Sequence, residues 1–148
     1  MDFVLDRLLN FPNITVEQYR IEKDKINLNI GFINDILICP FCKQATDKIH
    51  QKRNLSVRDL PILGFSTVLE IERRQYSCQN CQKYLTESLD FIDFDRHSTN
   101  RYKQYIYERV KSSNITQITR EENLSYDRVK SIFENQFAQK KKCHQPEE

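Results

Sequence analysis

The chain is poor in the residues that mark flexible or membrane-embedded segments. Its 148 residues include two glycines, four prolines, one methionine and no tryptophan. So few glycines and prolines argue against a long flexible linker or a low-complexity region. No apolar run approaches the about 20 residues that a membrane span needs. The first residues, Met1-Asp2-Phe3, lack the basic and apolar sequence of a secretory leader. We therefore expect one compact domain, or two very small ones, in the reducing cytoplasm and without membrane contact.

Net charge is also low, yet the charged residues are unevenly placed. The formal net charge is +2, although charged residues make up 30% of the chain. Basic residues cluster along two stretches, at Lys48, Lys52, Arg53, Arg58, Arg73, Arg74, Arg96, Arg101, Lys103, Arg109 and Lys111. This distribution suits a polyanionic partner on one face, and it is equally compatible with an ordinary solvated surface.

Four of the five cysteines form two Cys-x-x-Cys pairs. Cys39 and Cys42 make the first pair, Cys78 and Cys81 make the second, and 35 residues separate the two pairs. A Cys-x-x-Cys turn sets two thiolates on one side of a tight loop, so two turns supply the four ligands of a tetrahedral structural zinc site. The spacing therefore predicts one Zn²⁺ bound by these four cysteines.

The cysteines have three other interpretations. Disulfides need an oxidising compartment, and the sequence lacks the leader that would direct the chain to one. A redox dithiol usually stands alone near a strand–helix unit, and ordinary buried thiols remain the simplest alternative. His50 and His97 are possible substitute ligands, but four cysteines already complete a closed site.

The first two thirds of the sequence favours strands after a short helix. Residues 2–10 carry an apolar stripe at helical spacing, and residues 19–30 then alternate apolar and polar side chains around a Lys23-Asp24-Lys25 turn. The strongest strand, residues 67–76, leads directly into Cys78. These patterns predict a small antiparallel sheet that depends on the metal, because so few apolar residues could not hold it alone.

From residue 99 the apolar spacing becomes helical. Thr99, Asn114 and Ser125 are candidate caps for three helices, and Asn123 suits the left-handed turn before the third. In that third helix the residues expected to face inward are Tyr126, Val129, Phe133 and Phe137. The arrangement predicts a helix-turn-helix, with a purely structural bundle as the alternative.

Two sets of side chains are candidate DNA contacts. The first set lies on the exposed side of the third helix and could reach bases or phosphates: Asp127, Arg128, Lys130 and Ser131. The second set lies on or beside strands near the cysteines and suits phosphate contacts: Lys52, Arg53, Arg73 and Arg74. The expected fold class is α+β, a zinc-ribbon-like antiparallel module followed by a three-helix helix-turn-helix bundle. Its expected segments are a helix and hairpin (1–38), the zinc module (39–95), the bundle (96–138) and a disordered tail (139–148).

The order of these parts resembles the N-terminal half of an insertion-sequence transposase of the ISL3 family. The residues that carry the resemblance are the two cysteine pairs, Val57-Arg58-Asp59-Leu60-Pro61-Ile62, the Arg-Arg-x-Tyr-x-Cys run of residues 73–78, and Leu124-Ser125-Tyr126-Asp127-x-Val129-Lys130. The resemblance implies a zinc-binding module and binding of terminal-repeat DNA, with a DDE nuclease domain following in that family. The chain departs from the family pattern at Lys43 and Gln82, which stand where such turns often have glycine, and at Thr119, Glu122 and Asn123.

These residues and the resemblance together favour a zinc-dependent protein that binds double-stranded DNA without catalysis, a truncated or orphan transposase. Alternatives are a free-standing transcriptional regulator, a module that binds full-length transposase or a second copy of itself, and a thiol redox protein. We expect no nuclease activity because eleven residues follow Phe137, and two-metal chemistry needs carboxylates held by a large sheet. Asp90, Asp93 and Asp95 instead read as a solvated acidic connector.

Overall fold

The computed structural model describes residues 3–92 and 97–143, and it shows an α+β chain with a sheet first and helices after it. The strands are β1 (Ile14–Glu22), β2 (Lys25–Phe32), β3 (Leu37–Ile38), β4 (Ala45–Thr46), β5 (Ile49–Ile62), β6 (Phe65–Cys78) and β7 (Lys83–Thr86). The helices are α1 (Phe3–Leu9), α2 (Asn100–Ser112), α3 (Ile115–Glu122) and α4 (Tyr126–Cys143). Asp93, Asp95 and Arg96, named above, lie outside the described residues. No helix in the described ranges is long and apolar enough to cross a membrane.

The main sheet has five strands in the order β1-β2-β6-β5, with β7 paired to the far end of β6, and β3 and β4 form a separate small pair. The prediction of an antiparallel sheet is wrong in one respect, because β2 runs parallel to β6. This register pairs Leu28 with Leu69 and Ile30 with Ile71, so the apolar residues of both strands share one face. The N-terminal hairpin and the cysteine-bearing strands are therefore parts of one mixed sheet.

Strand β6 buries opposite faces at its two ends. Leu69 and Ile71 are buried in its first half, whereas Arg74, Tyr76 and Cys78 are buried in its second half. Because side chains alternate along a strand, this change from odd to even positions places two separate clusters on opposite faces of the sheet.

The larger cluster contains no cysteine. Its buried members are Leu9, Ile14, Val16, Ile26, Leu28, Ile30, Val57, Leu69, Ile71 and Phe91. The smaller cluster consists of Cys39, Tyr76, Cys78 and Leu85. The sheet, helix α1 and the segment before α2 thus form a larger core that contains none of the cysteines.

Helices α2, α3 and α4 form the expected bundle, and its predicted turns are confirmed. The side chains of Thr99 and Asn114 cap α2 and α3, and Asn123 ends α3 with a left-handed φ of 53°. The hydroxyl of Ser125 accepts a hydrogen bond of 3.2 Å from the backbone N–H of Arg128. The turn between α3 and α4 is thus built by local side-chain chemistry.

Two of the residues predicted to face inward on α4 are instead exposed. Tyr126 and Phe137 expose 51% and 53% of their surface, whereas Ile132, which the prediction omitted, exposes 2%. Val129 and Ile132 lie three residues apart on the buried stripe, as helical spacing requires. Helix α4 also continues to Cys143, past the predicted start of the tail at residue 139, and Lys140 bonds to Glu108 at 3.1 Å.

The bundle is attached to the outer edge of β5. The backbone of Arg58 exchanges hydrogen bonds with residues 97 and 99, at 2.8 and 2.9 Å. Asp59 exposes only 1% of its surface, and its carboxylate accepts bonds of 2.8 Å from both Thr99 and Arg101. Leu60 packs against the apolar core of the bundle. Strand β5 therefore carries both the cysteine end of the sheet and the attachment of the helices.

Candidate metal centre and nucleic-acid interface

The two Cys-x-x-Cys turns have the same backbone form. The N–H of Lys43 donates to the carbonyl of Cys39 at 2.9 Å, and the N–H of Gln82 donates to that of Cys78 at 2.8 Å. Lys43 and Gln82 have φ values of 62° and 57°, as expected of residues that replace glycine here. Each such conformation costs about 1 kcal/mol, and it closes the turn so that both thiols point the same way.

The four sulfur atoms lie at the spacing of a tetrahedral zinc site. The Sγ atoms of Cys39 and Cys81, and of Cys42 and Cys78, are 3.6 Å apart, and those of Cys78 and Cys81 are 3.8 Å apart. All four lie within 4.8 Å of one another. Four ligands at the usual Zn–S distance would be separated by about 3.8 Å. The donor set and its geometry therefore fit zinc.

Hydrogen bonds inside the cluster favour thiolates at two of the four positions. A bond from the side chain of Asn80 lowers the pKa of Cys42 to about 6, and the backbone N–H of Cys42 lowers the pKa of Cys39. The thiol of Cys81 bonds to Cys42, which raises the pKa of Cys81 to about 12. Since zinc binds thiolates, the first two cysteines are prepared for a metal and the last would lose its proton to one.

Neither histidine belongs to the four-sulfur cluster. His50 stacks on Tyr84 with ring centroids 4.2 Å apart, and His97 is exposed where its carbonyl pairs with Arg58. Cys143 is exposed at the end of α4. The cluster as described consists of the four cysteines that the spacing selects.

The four strand cations predicted to contact phosphate divide between the two faces of the sheet. Arg53 lies opposite Arg73, and Lys52 lies opposite Arg74. The face of Arg53 and Arg73 continues through Gln51 and Gln75, whose side chains bond at 2.9 Å. The described residues that line the depression there, of about 140 Å³, include no carboxylate. The other face carries Lys52, bonded to Glu72 at 3.1 Å.

Arg74 does not have the exposed position that a phosphate contact requires. Its guanidinium donates to Glu87 at 3.0 Å, to Asp35 at 2.9 Å and to the carbonyl of Asn34 at 2.7 Å. It also lies 4.5 Å from the ring centroid of Phe32, and only 7% of the residue is exposed. The sequence prediction for Arg74 is corrected, because this side chain holds the loop after β2 against the sheet.

The first two turns of α4 present three of the four predicted contacts to solvent. Asp127, Lys130 and Ser131 are exposed, and Lys130 approaches Glu134 at 4.0 Å. Arg128 instead turns back and donates to the hydroxyl of Ser98 at 2.9 Å. Three side chains at the start of α4 are thus available to a ligand, and Arg128 links this helix to the segment before α2.

Sequence reasoning missed a buried polar cluster around Glu122. This carboxylate accepts hydrogen bonds from Tyr102 at 2.9 Å, Tyr105 at 3.1 Å and Arg109 at 2.6 Å, and Arg58 lies 3.5 Å away. Burial raises the pKa of Tyr102, with Glu122 adding to the effect. Two signals pointed here: Arg58 belongs to the most specific motif, and Glu122 replaces a residue that is usually apolar.

Comparison with known proteins finds two family models that match successive parts of the chain. Residues 37–81 match a model described as the zinc-finger of transposase IS204/IS1001/IS1096/IS1165. Residues 87–136 match the helix-turn-helix domain of transposase family ISL3. The transposase for insertion sequence element IS1001 of Bordetella parapertussis is 28% identical over 97 residues, which are 66% of this chain and 24% of that protein. The chain thus spans about a quarter of that relative's length, and no solved structure matches it. The chain thus resembles, in succession, the zinc-finger and the helix-turn-helix parts of ISL3-family transposases.

Proposed function

We propose that this chain binds duplex DNA at the terminal-repeat-like ends of an insertion sequence. In this proposal α4 enters the major groove, where Lys130 and Ser131 face the bases, and Asp127 lies beside them. The Arg53–Arg73 face of the sheet contacts the phosphate backbone. Arg128 fixes the angle of α4 through its bond to Ser98, in place of the base-reading role predicted from sequence.

The opposition of Arg53 and Arg73 is the observation that carries the proposal. Like charges directly across a strand pair are destabilising. The Nε of Arg73 donates to the backbone carbonyl oxygen of Glu87 at 3.0 Å. An anion between the two guanidiniums relieves this repulsion, and a DNA backbone supplies such anions in series.

In the same proposal Cys39, Cys42, Cys78 and Cys81 hold one structural zinc ion. When bound, zinc would fix the two turns to each other without taking part in a reaction. It would thereby hold β7 against the end of β6, and so complete the face that carries Arg73. We further propose that binding proceeds without strand cleavage by these residues, because both matched parts are binding modules.

Fluorescence-anisotropy titrations of duplex DNA at several salt concentrations test the proposal. Changing Arg53 or Arg73 to Ala should weaken binding to all sequences alike and make the salt slope shallower by about one. Changing Lys130 to Ala should cost about 1–3 kcal/mol on a preferred site and reduce the preference. The matched control is Lys52→Ala, because Lys52 adjoins Arg53 but points to the other face. Binding without salt dependence, or equal losses for Lys52 and Arg53, would contradict the proposal.

A second candidate function is the binding of another protein chain, such as a second copy or full-length transposase. It is favoured by the outer face of α1, where Phe3, Val4 and Leu8 expose 73%, 70% and 60% of their surface. Contiguous exposed apolar patches often mark protein contacts. Light scattering of the zinc-loaded protein, with and without Phe3→Ser, distinguishes this function from DNA binding.

A further inference from the structure

The tip of the β5–β6 hairpin holds a leucine in a conformation that leucine disfavours. Ile62 pairs with Phe65, so Leu63 and Gly64 form a two-residue turn, and their φ values are 50° and 84°. Turns with two positive φ values strongly prefer Asn-Gly, since residues with a bulky side chain rarely adopt positive φ. An Asn would serve the turn better, yet the chain has a leucine there.

Packing does not explain this leucine. Leu63 exposes 94% of its surface, more than any other large apolar residue described as exposed. A Cβ atom added to Gly64 would meet nothing within 4 Å, so the tip is open on that side as well. Backbone strain that persists without a packing partner points to a function at the strained residue.

The base of the hairpin is fixed to the helix bundle. Arg58 pairs with the segment before α2, Asp59 binds Arg101, and Leu60 enters the core of the bundle. Leu63 follows Leu60 by three residues, which is about 10 Å of strand. The tip is therefore held at a set distance from the bundle.

Two lysines accompany Leu63 at this end of the sheet. The N–H of Ser66 donates to the carbonyl of Asp24 at 2.8 Å, which brings the β1–β2 turn beside the β5–β6 turn. Lys23 and Lys25 of that turn are exposed, as is Asp24 between them. An apolar tip flanked by cations suits a surface that offers both phosphates and stacked bases.

We propose that Leu63 is an apolar wedge that enters the minor groove of the DNA whose major groove receives α4. This inference rests on the proposed DNA binding and adds a second contact to it. Apolar side chains in the minor groove insert between base steps, partly unstack them and bend the duplex. Adjacent grooves lie about half a helical turn apart, or about 17 Å, and the tip lies about 10 Å of strand beyond Leu60, which packs in the bundle. Lys23 and Lys25 then meet the phosphates beside the wedge.

Two substitutions of Leu63 distinguish an effect on DNA binding from an effect on folding. Leu63→Asn removes the apolar side chain and suits the left-handed turn, so its thermal midpoint should equal or exceed that of the parent protein. Leu63→Met keeps an apolar side chain of similar volume. The control is Ile36→Asn, which makes the same chemical change at a residue that is 62% exposed at the opposite end of the sheet.

The probe is a duplex that carries a TA step in every helical turn, with 2-aminopurine at those steps and a dye at each end. TA steps unstack easily, so the parent protein should raise 2-aminopurine fluorescence and shorten the end-to-end distance. Loss of a leucine side chain that is buried in a complex weakens binding by roughly tenfold or more. We therefore expect Leu63→Asn to bind at least about fivefold more weakly and to lose most of both signals, with Leu63→Met and Ile36→Asn near the parent.

The possible results distinguish the wedge from the DNA binding on which it rests. If Leu63→Asn matches the parent in affinity and in both signals while the parent binds with a normal salt dependence, the wedge is wrong and DNA binding stands. Equal losses in Leu63→Asn and Ile36→Asn also overturn the wedge. If the parent binds no duplex even at low salt, the proposed function fails and the wedge fails with it; loss of a protein complex in Leu63→Asn would then identify a protein pocket as the target of the tip.

Discussion

Changing Glu122 to Ala should destabilise the protein more than any other single removal of an acidic side chain in the helix bundle. Glu122 is 7% exposed at the C-terminal end of α3, and its carboxylate is shared by Tyr102, Tyr105, Arg109 and Arg58. Alanine leaves the buried Tyr102 hydroxyl without an acceptor and two guanidinium groups without their shared anion. Because Arg58 belongs to β5, the loss also weakens the attachment of the bundle to the sheet.

The expected magnitude follows from the burial of the partners. Removing one member of a buried ion pair costs about 3–5 kcal/mol. Arg109 and Arg58 keep 30% and 18% of their side chains exposed, so water compensates in part and we expect about 3 kcal/mol. For a chain of this size that loss lowers the thermal midpoint by about 6–12 °C. Glu122→Gln keeps an acceptor for the two tyrosines and should cost about half as much.

Urea titration of the zinc-loaded protein, followed by far-ultraviolet circular dichroism, measures these differences. The control is Glu121→Ala, because Glu121 is exposed and forms an ion pair with Arg109 at the surface; such a pair contributes about 0–1 kcal/mol. If the free energies of unfolding of the Glu122 and Glu121 variants differ by less than about 1 kcal/mol, water compensates the cluster fully. The reasoning from burial would then be refuted.

The remaining predictions concern the metal and Arg74. Ser in place of Cys42 or Cys78 should abolish retention of one zinc per chain in metal analysis, and Cys143→Ser should not; zinc retained in the first two would disprove the ligand set. Chelation should speed hydrogen exchange in β3, β4 and β7 but leave β2 and the bundle protected, because the larger core contains no cysteine; global unfolding would contradict this. Arg74→Ala should cost about 3 kcal/mol of stability in the urea titration. An Arg74 variant with parent stability and weakened DNA binding would restore the role predicted from sequence.

Features set by neighbouring residues were predictable from the sequence. The caps at Thr99, Asn114 and Ser125 each need only a short polar side chain beside the first turn of its helix. The cysteine turns likewise follow from spacing within four residues, and positive φ at Lys43 and Gln82 follows from the place of each residue after its pair. The four-sulfur cluster could be predicted because each half of it forms locally.

Features that depend on distant segments were not predictable from one strand's pattern. The alternation along β6 predicts that Arg74 shares a face with Glu72, which is correct. Alternation does not reveal that the loop around Asp35 and the side chain of Glu87 cover that face at Arg74 and leave it open at Glu72. The parallel pairing of β2 with β6 was unpredictable for the same reason, because the first cysteine turn and β5 separate the two strands in sequence.

The distribution of acidic residues across the sheet determines how the sheet can lie on DNA under the proposed function. A groove of about 470 Å³ on the face of Lys52 is lined by Glu17, Asp35, Glu70 and Glu72, and Lys52 itself is paired with Glu72. Carboxylates held against a phosphate backbone repel it, so this face must point away from the duplex. The opposite face, with Arg53 and Arg73, is then the one that meets the backbone. Under the proposed function, Arg53 and Arg73 would therefore meet DNA, whereas Lys52 and Arg74 pair with carboxylates on the face that turns away from it.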